Sequence, residues 1–447
     1  MVHSVSPIFP AEDVHSTLHR HMLADGMPMV LDMSRSQGLY IYDKLTHKRY
    51  IDYFTFFASV PFGLNPPAFR EDQDFLDRLM DAALNKVSNS DLYTEHMARF
   101  VDTFSRVGIP EYLPNLFMIS GGALAVENAL KAAFDWKVRK NFAKGYRSER
   151  GHKIIYFEQA FHGRSGYTMT LTNTDPNKVA LFPKFDWCRV VSPHANELPT
   201  KGNLEEVIAR EKTAIAQIKR HFADNPDDIA AIIIEPIQAE GGDNHFRPEF
   251  LQALRDLADE NEALLIFDEV QTGVGLTGTF WMHEQTSVKP DILVFGKKMQ
   301  VCGILAGDRV REVPENVFEK HSRINSTWGG SLVDMVRSEK ALEVIEQKNL
   351  LQNVRQMGSL LMKEIRELAD TFDEVENPRG LGLMCAFDLP STEIREKFRH
   401  LCYDNGLLIL GCGTRTVRFR TALTLDENGI SEGMGLIRHT LSQLFDK

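Results

Sequence analysis

The stretch Asp291-Ile292-Leu293-Val294-Phe295-Gly296-Lys297-Lys298 decides how this chain reads. Ile292, Leu293, Val294 and Phe295 form an apolar run with no polar alternation, which is the pattern of a strand buried on both faces. Gly296 breaks the run and a lysine follows at once. Burying an ammonium costs on the order of several kcal/mol. A strand-end lysine therefore either carries its head to solvent or sheds its charge, as it does on forming a Schiff base with an aldehyde. Taken alone, Lys297 does not choose between these.

A second apolar run, Leu264-Leu265-Ile266-Phe267, ends in Asp268-Glu269-Val270-Gln271-Thr272-Gly273. Asp268 is either a helix N-cap after a strand or a buried charge with a task. Pyridoxal phosphate requires a lysine for its aldehyde and an acid for its pyridine nitrogen. Asp268 would keep that nitrogen protonated, making the ring an electron sink. The two residues are 297 − 268 = 29 positions apart, which fits one βαβ unit with both strand ends at one crevice. Ser120-Gly121-Gly122-Ala123 follows a third apolar stretch and opens a helix expected over 125–137. Glycines admit a ligand to the backbone, and first-turn N–H groups bind an anion, here the cofactor phosphate.

With 447 residues the chain is long enough for two or more domains. Its net charge, 51 − 62 = −11, argues against nucleic acid or an anionic membrane as the main partner. The five cysteines, at 188, 302, 385, 402 and 412, show no zinc or disulfide spacing. With no secretory pattern and no run of about 18 apolar residues, the expected location is the cytoplasm.

The expected organisation is α/β. Residues 1–75 and 336–447 are read as the two parts of a smaller α+β domain, and 76–335 as the large cofactor domain with a mainly parallel sheet. Strands are expected around 116–119, 153–157, 230–235, 264–267 and 292–295, with a helix over 248–262. The aromatic, proline-broken stretch 54–67 reads as a core-packing loop, a pocket wall, or both.

Six stretches carry a family resemblance: Ser120 to Lys131, Ala160-Phe-His-Gly-Arg-Ser-Gly-Tyr167, Glu235-Pro-Ile-Gln-Ala-Glu-Gly-Gly242, Ile266-Phe-Asp-Glu-Val-Gln-Thr-Gly273, Phe295-Gly-Lys-Lys298 and Asn325-Ser-Thr-Trp-Gly-Gly330. Over about 39–423 the chain resembles the class III aminotransferases. Two further forms, Gly296-Lys-Lys-x-Gln-Val-Cys-Gly303 and Ala83-Leu-Asn-Lys-x-Ser-Asn-Ser-Asp91, resemble those members of the family that act on lysine.

The resemblance implies a fold type I pyridoxal-phosphate enzyme. It implies ping-pong transfer of the ε-amino group of lysine to 2-oxoglutarate, through a Schiff base on Lys297. Ornithine or GABA as donor, or a non-catalytic cofactor-binding regulator, are the alternatives. Implied cofactor contacts are Gly122, Ala123, Phe161 (stacking on the ring), Asp268, Gln271 and Lys297. Ser326 and Thr327 would complete the phosphate site from the second subunit of a homodimer. Arg164, Arg418, Gln271, Glu240 and Asn325 are implied at the substrates. Carboxylates are bound two-pronged by guanidinium forks, so a dicarboxylate needs two arginines. One of these, Arg418, is neutralised by Glu240 when lysine is bound. His162 reads equally as a structural histidine.

Two pairs stay open. Counting forward from the strand selects Lys297, whereas counting back from Gly303 selects Lys298. The motif position favours Arg418 over Arg420, but the family's following Pro-Pro is replaced here by Thr421-Ala422, which loosens that loop.

Overall fold

The computed structural model describes residues 9–194 and 203–446. The large unit is built on seven strands: β1 (Asn115–Ile119), β2 (Lys153–Phe157), β3 (Cys188–Val190), β4 (Ile229–Ile234), β5 (Leu264–Asp268), β6 (Ile292–Phe295) and β7 (Cys302–Ala306). Their order across the sheet is β1-β7-β6-β5-β4-β2-β3. Only β7 runs against its neighbours.

Every residue of β4, β5 and β6 is buried, because helices cover both faces. Leu264, Ile266, Ile292 and Val294 pack on one face against Ala125, Ala129, Ala132 and Ala133 of the helix Gly122–Ala143. The small side chains of that helix let it lie close to the sheet. Leu265 and Phe267 face the other way, onto Ile218 of Leu204–Asp224 and Leu251 and Leu254 of Pro248–Glu260. Val294 pairs with Asp268 across β5 and β6, so Lys297 leaves the sheet beside the end of β5.

Of two smaller sheets, one joins both ends of the chain and one is built from the C-terminal part alone. Tyr40–Tyr42, Arg49–Asp52 and Leu407–Leu408 form one; Glu376–Leu381, Met384–Asp388, Thr416–Arg420 and Leu410–Cys412 form the other. The smaller α+β unit is thus made from both chain ends. The expected cut between 335 and 336 falls inside the helix Leu332–Gln347, which packs on Glu95–Val107 of the large unit. The expected outer limits at 1 and 447 lie outside the described residues.

The aromatic stretch 54–67 contains an unusual turn. Thr55, Phe56, Phe57 and Ala58 have φ of 37, 51, 59 and 67°, a left-handed run that costs L-residues roughly 1–2 kcal/mol each. It is tied down at both ends. Asp52 Oδ1 accepts from the Phe54 and Thr55 N–H groups at 2.9 and 2.7 Å, and Lys298 Nζ donates to the Ala58 carbonyl at 3.0 Å. Gln300 Nε2 donates to the Ser59 carbonyl at 2.6 Å.

Candidate active site

The carboxyl ends of β2, β4, β5 and β6 open onto a cavity of about 530 Å³. Gly122, Ala123, Phe161, Arg164, Glu240, Asp268, Gln271 and Lys297 line it, all of them singled out from the sequence.

Lys297 follows Gly296 with φ +49°, a left-handed conformation for a residue with a side chain. Among the described residues no hydrogen bond or ion pair holds its Nζ. Burial, and then the charges of Arg418 and Arg420, push its ammonium down to about 8. Lys298 is buried with its head on the Ala58 carbonyl, and burial, Arg420 and Lys297 push it well below its ordinary value.

Asp268 ends β5 with no helix after it, so it caps nothing. Its Oδ1 accepts from the Val270 N–H at 3.1 Å, and its Oδ2 lies 2.8 Å from His162 Nδ1. His162 Nε2 is buried without a partner among the described residues.

Gly121 enters the helix Gly122–Ala143 with φ +103° and ψ 133°, open to glycine and strained for other residues. A Cβ on Gly163, at φ +120°, would stand 2.4 Å from the Ala123 Cβ, so the turn after Phe161 is pressed onto this helix start.

Glu235, at the end of β4, was not selected from the sequence, although it terminates an apolar run just as Asp268 does. Its oxygens accept from the Phe161 N–H at 2.9 Å and the Ala239 N–H at 3.1 Å. It thereby fixes both loops that carry the aromatic face and Glu240. Burial, with Asp268 nearby, pushes its carboxyl up to about 7.

At the substrate end Arg418 Nη2 donates to Glu240 Oε2 at 2.7 Å, and Lys178 Nζ donates to Glu240 Oε1 at 2.6 Å. Burial alone would raise this carboxyl, but Arg418 and Lys178 hold it below its ordinary value. Arg420 is bound two-pronged by Asp243, one contact being 2.9 Å. Gln271 Oε1 accepts from Arg420 Nε at 2.7 Å and Arg418 Nη1 at 3.5 Å, leaving its amide NH₂ for an acceptor in the cavity. A second cavity of about 720 Å³ is walled by Phe54, Phe56, Phe57 and Tyr403. Glu240 lines both cavities, whereas Arg418 lines only the second. Arg164 is exposed at the rim, with no carboxylate in ion-pair range among the described residues.

Asn325, Ser326 and Thr327 are not in this lining. Asn325 and Thr327 are exposed, and the backbone from Ser326 to Trp328 is clamped by the Ser88-Asn89-Ser90 motif. Ser90 Oγ donates to the Ser326 carbonyl at 2.9 Å, Ser88 Oγ to the Thr327 carbonyl at 2.6 Å and Asn89 Nδ2 to the Trp328 carbonyl at 2.9 Å.

The donor set fits pyridoxal phosphate. An amine held below its ordinary value, a buried carboxylate and a glycine-opened helix start share one cavity, and a histidine whose second nitrogen has no partner among the described residues backs the carboxylate. Such an array, in this sheet order, defines a cofactor-dependent enzyme site on an α/β fold.

The comparisons specify it further. The model of the family described as aminotransferase class-III matches residues 22–441, and the chain belongs to that family, whose members work with pyridoxal 5'-phosphate. It is 52% identical over 431 residues to the L-lysine-epsilon aminotransferase of Mycobacterium tuberculosis, covering 96% of this chain and 95% of that one. It is 49% identical over 428 residues to the enzyme of that name from Streptomyces clavuligerus, covering 95% and 93%. A solved lysine aminotransferase from M. tuberculosis superposes with a TM-score of 0.95 at 50% identity, covering 98% of this chain and all of that one. The fold is accordingly that of the fold type I pyridoxal-phosphate enzymes.

Proposed function

We propose that the protein transfers the ε-amino group of L-lysine to 2-oxoglutarate. The products are glutamate and 2-aminoadipate 6-semialdehyde, which cyclises to piperideine-6-carboxylate. The observation that supports this reading best is an arginine paired with a glutamate: Glu240 accepts from Arg418 at 2.7 Å and itself lines the cavity that holds Lys297. An enzyme that alternates between a donor with one carboxylate and an acceptor with two needs such a removable positive charge.

Pyridoxal phosphate, when bound, supplies an aldehyde carbon and an electron-withdrawing ring that makes the proton on the amine-bearing carbon removable. Gly122 and Ala123 offer N–H groups to its phosphate, Phe161 a stacking face and Gln271 an amide donor. Asp268, steadied by His162, holds negative charge where the ring nitrogen is to be kept protonated. Lys297, whose ammonium is held well below its ordinary value by burial and Arg418, takes the proton from the ε-carbon of lysine and later returns one to the α-carbon that becomes glutamate. Arg164 holds the distal carboxylate of either substrate. Glu240 covers Arg418 while lysine reacts, so the α-carboxylate of lysine is not drawn to the reacting end. For 2-oxoglutarate the glutamate moves aside and Arg418 takes the α-carboxylate two-pronged.

The exposed Asn325 and Thr327, next to the exposed Trp328, support a homodimer in which each copy gives Asn325, Ser326 and Thr327 to its partner's site. A fully active monomer at micromolar concentration in sedimentation would contradict this. Residues up to 75 and those beyond the helix Leu332–Gln347 are proposed as the smaller domain. Among the described residues no helix is long and apolar enough to cross a membrane, and a cytoplasmic location is proposed.

The direct test incubates holoenzyme with lysine and 2-oxoglutarate and traps the cyclic product with 2-aminobenzaldehyde. Adduct and glutamate in equal amounts support the reading. Faster glutamate formation from ornithine or 4-aminobutyrate than from lysine would assign a different donor.

A further inference from the structure

Lys178 is outside every motif discussed so far. It sits in the one-turn helix Pro176–Val179, which Asp175 caps by accepting from the Asn177 N–H at 2.9 Å. Its Nζ is 2.6 Å from Glu240 Oε1 and 5.8 Å from the centroid of the Phe161 ring. The other oxygen, Glu240 Oε2, is 2.7 Å from Arg418 Nη2. The gate is therefore a triad, Lys178–Glu240–Arg418, with one carboxylate oxygen on each cation.

We infer that Lys178 is a specificity-determining positioning residue that holds the Glu240 carboxylate when Arg418 is surrendered to a dicarboxylate substrate. This rests on the gated reading of Arg418 proposed above. Opening the gate exchanges one partner of Arg418, the glutamate, for another, the α-carboxylate. Without a second cation, Glu240 would be left as an unpaired carboxylate inside a half-closed cavity, which is the costly case for any ion pair split by removing one partner. With Lys178 in place, Oε1 keeps its bond and only Oε2 is released. The Lys178 side chain is 28% exposed, so it has room to follow the carboxylate outward. Its ammonium lies 5.8 Å from the Phe161 ring centroid, a weak attraction on that side. Lys178 thus has little to do while lysine is bound and much to do while 2-oxoglutarate is bound.

The test uses holoenzyme and separates the two half-reactions by single-turnover absorbance, with lysine on one side and 2-oxoglutarate on the other. Calorimetric binding of glutarate, a non-reacting dicarboxylate, gives a second readout. In Lys178→Met the dissociation constant for glutarate rises about tenfold or more, as expected for a pair left half-satisfied. The 2-oxoglutarate half-reaction falls by a similar factor relative to the lysine half-reaction, through a higher half-saturating concentration. Lys178→Arg restores the ratio of the two. Glutarate affinity unchanged in Lys178→Met, or both half-reactions reduced in equal proportion, overturns the inference. Glu240→Gln run alongside distinguishes the two levels. If it shifts the half-reaction ratio while Lys178→Met does not, only the role of Lys178 falls; if neither shifts it, the gate itself is wrong.

Discussion

Arg418 and Arg420 stand two residues apart on the strand Thr416–Arg420 and share one glutamine, Gln271, yet their pairs are built differently. The Arg420–Asp243 pair is sealed, with side-chain exposures of 0% and 1%. In Arg418–Glu240 the guanidinium is as deep, at 2%, but the carboxylate is 23% exposed and has Lys178 as an alternative partner. A buried charge whose counter-ion can leave is a switch; one whose counter-ion cannot is a strut. Lys297 and Lys298 repeat the contrast. Lys297 faces the cavity with no fixed partner among the described residues, and Lys298 is committed to the strained turn Thr55–Ala58.

The lysine contrast carries the largest expected effect. Lys297→Ala is expected to lose at least about a thousandfold in turnover, the usual weight of a positioned proton carrier, and to purify with no borohydride-reducible link to the cofactor. Lys298→Met keeps the link and loses about 1 kcal/mol of stability with its hydrogen bond. Mass analysis of borohydride-treated variants checks this, and a link lost in Lys298→Met but kept in Lys297→Ala would reverse the assignment.

The arginines come next. Arg420→Met strands Asp243 and is expected to lower stability by about 3–5 kcal/mol, read as a lower denaturant midpoint. Arg418→Met leaves Glu240 with Lys178 and costs less stability. It slows the 2-oxoglutarate half-reaction by roughly ten- to a hundredfold, the worth of a charge-assisted pair. Equal stability losses in both variants would erase the distinction between strut and switch.

A smaller effect sharpens the Lys297 environment. The neutral amine is the form that attacks an aldehyde, so its share grows as pH rises through the folded value. Capture of pyridoxal phosphate by cofactor-free protein should accelerate with pH and level off above about 8. A lysine at its ordinary value would keep accelerating toward 10.5. Arg418→Met removes a neighbouring positive charge and moves the midpoint upward.

Much of this was legible in the chain because buried parallel strands announce themselves as unbroken apolar runs. Lys297 and Asp268 stand at the ends of two of them, so local reading reached both. Glu235 was within reach by the same signal, an acid closing the expected strand 230–235, but no complementary group nearby in the sequence singled it out. Lys178, Asp243 and the role of Lys298 were not legible. Each acquires its meaning from a residue 62, 177 or 240 positions away, and no local period records such a meeting. The left-handed turn Thr55–Ala58 was hidden for a related reason. Its residues are ordinary strand and helix formers, and the conformation is imposed by Asp52, Lys298 and Gln300 from outside. The aromatic stretch 54–67 proves to pack against the core and to wall a cavity at once.

The central claim is that Glu240 screens Arg418 so that lysine reacts through its far end. Lysine carrying heavy nitrogen only at the ε-position tests it directly, by mass analysis of the glutamate formed with 2-oxoglutarate. The native enzyme should place the label in essentially all of the glutamate. In well-folded, cofactor-loaded Glu240→Gln the exposed guanidinium attracts the α-carboxylate of lysine, and the unlabelled share of glutamate should rise several-fold. An unchanged labelled share in that variant would contradict the account.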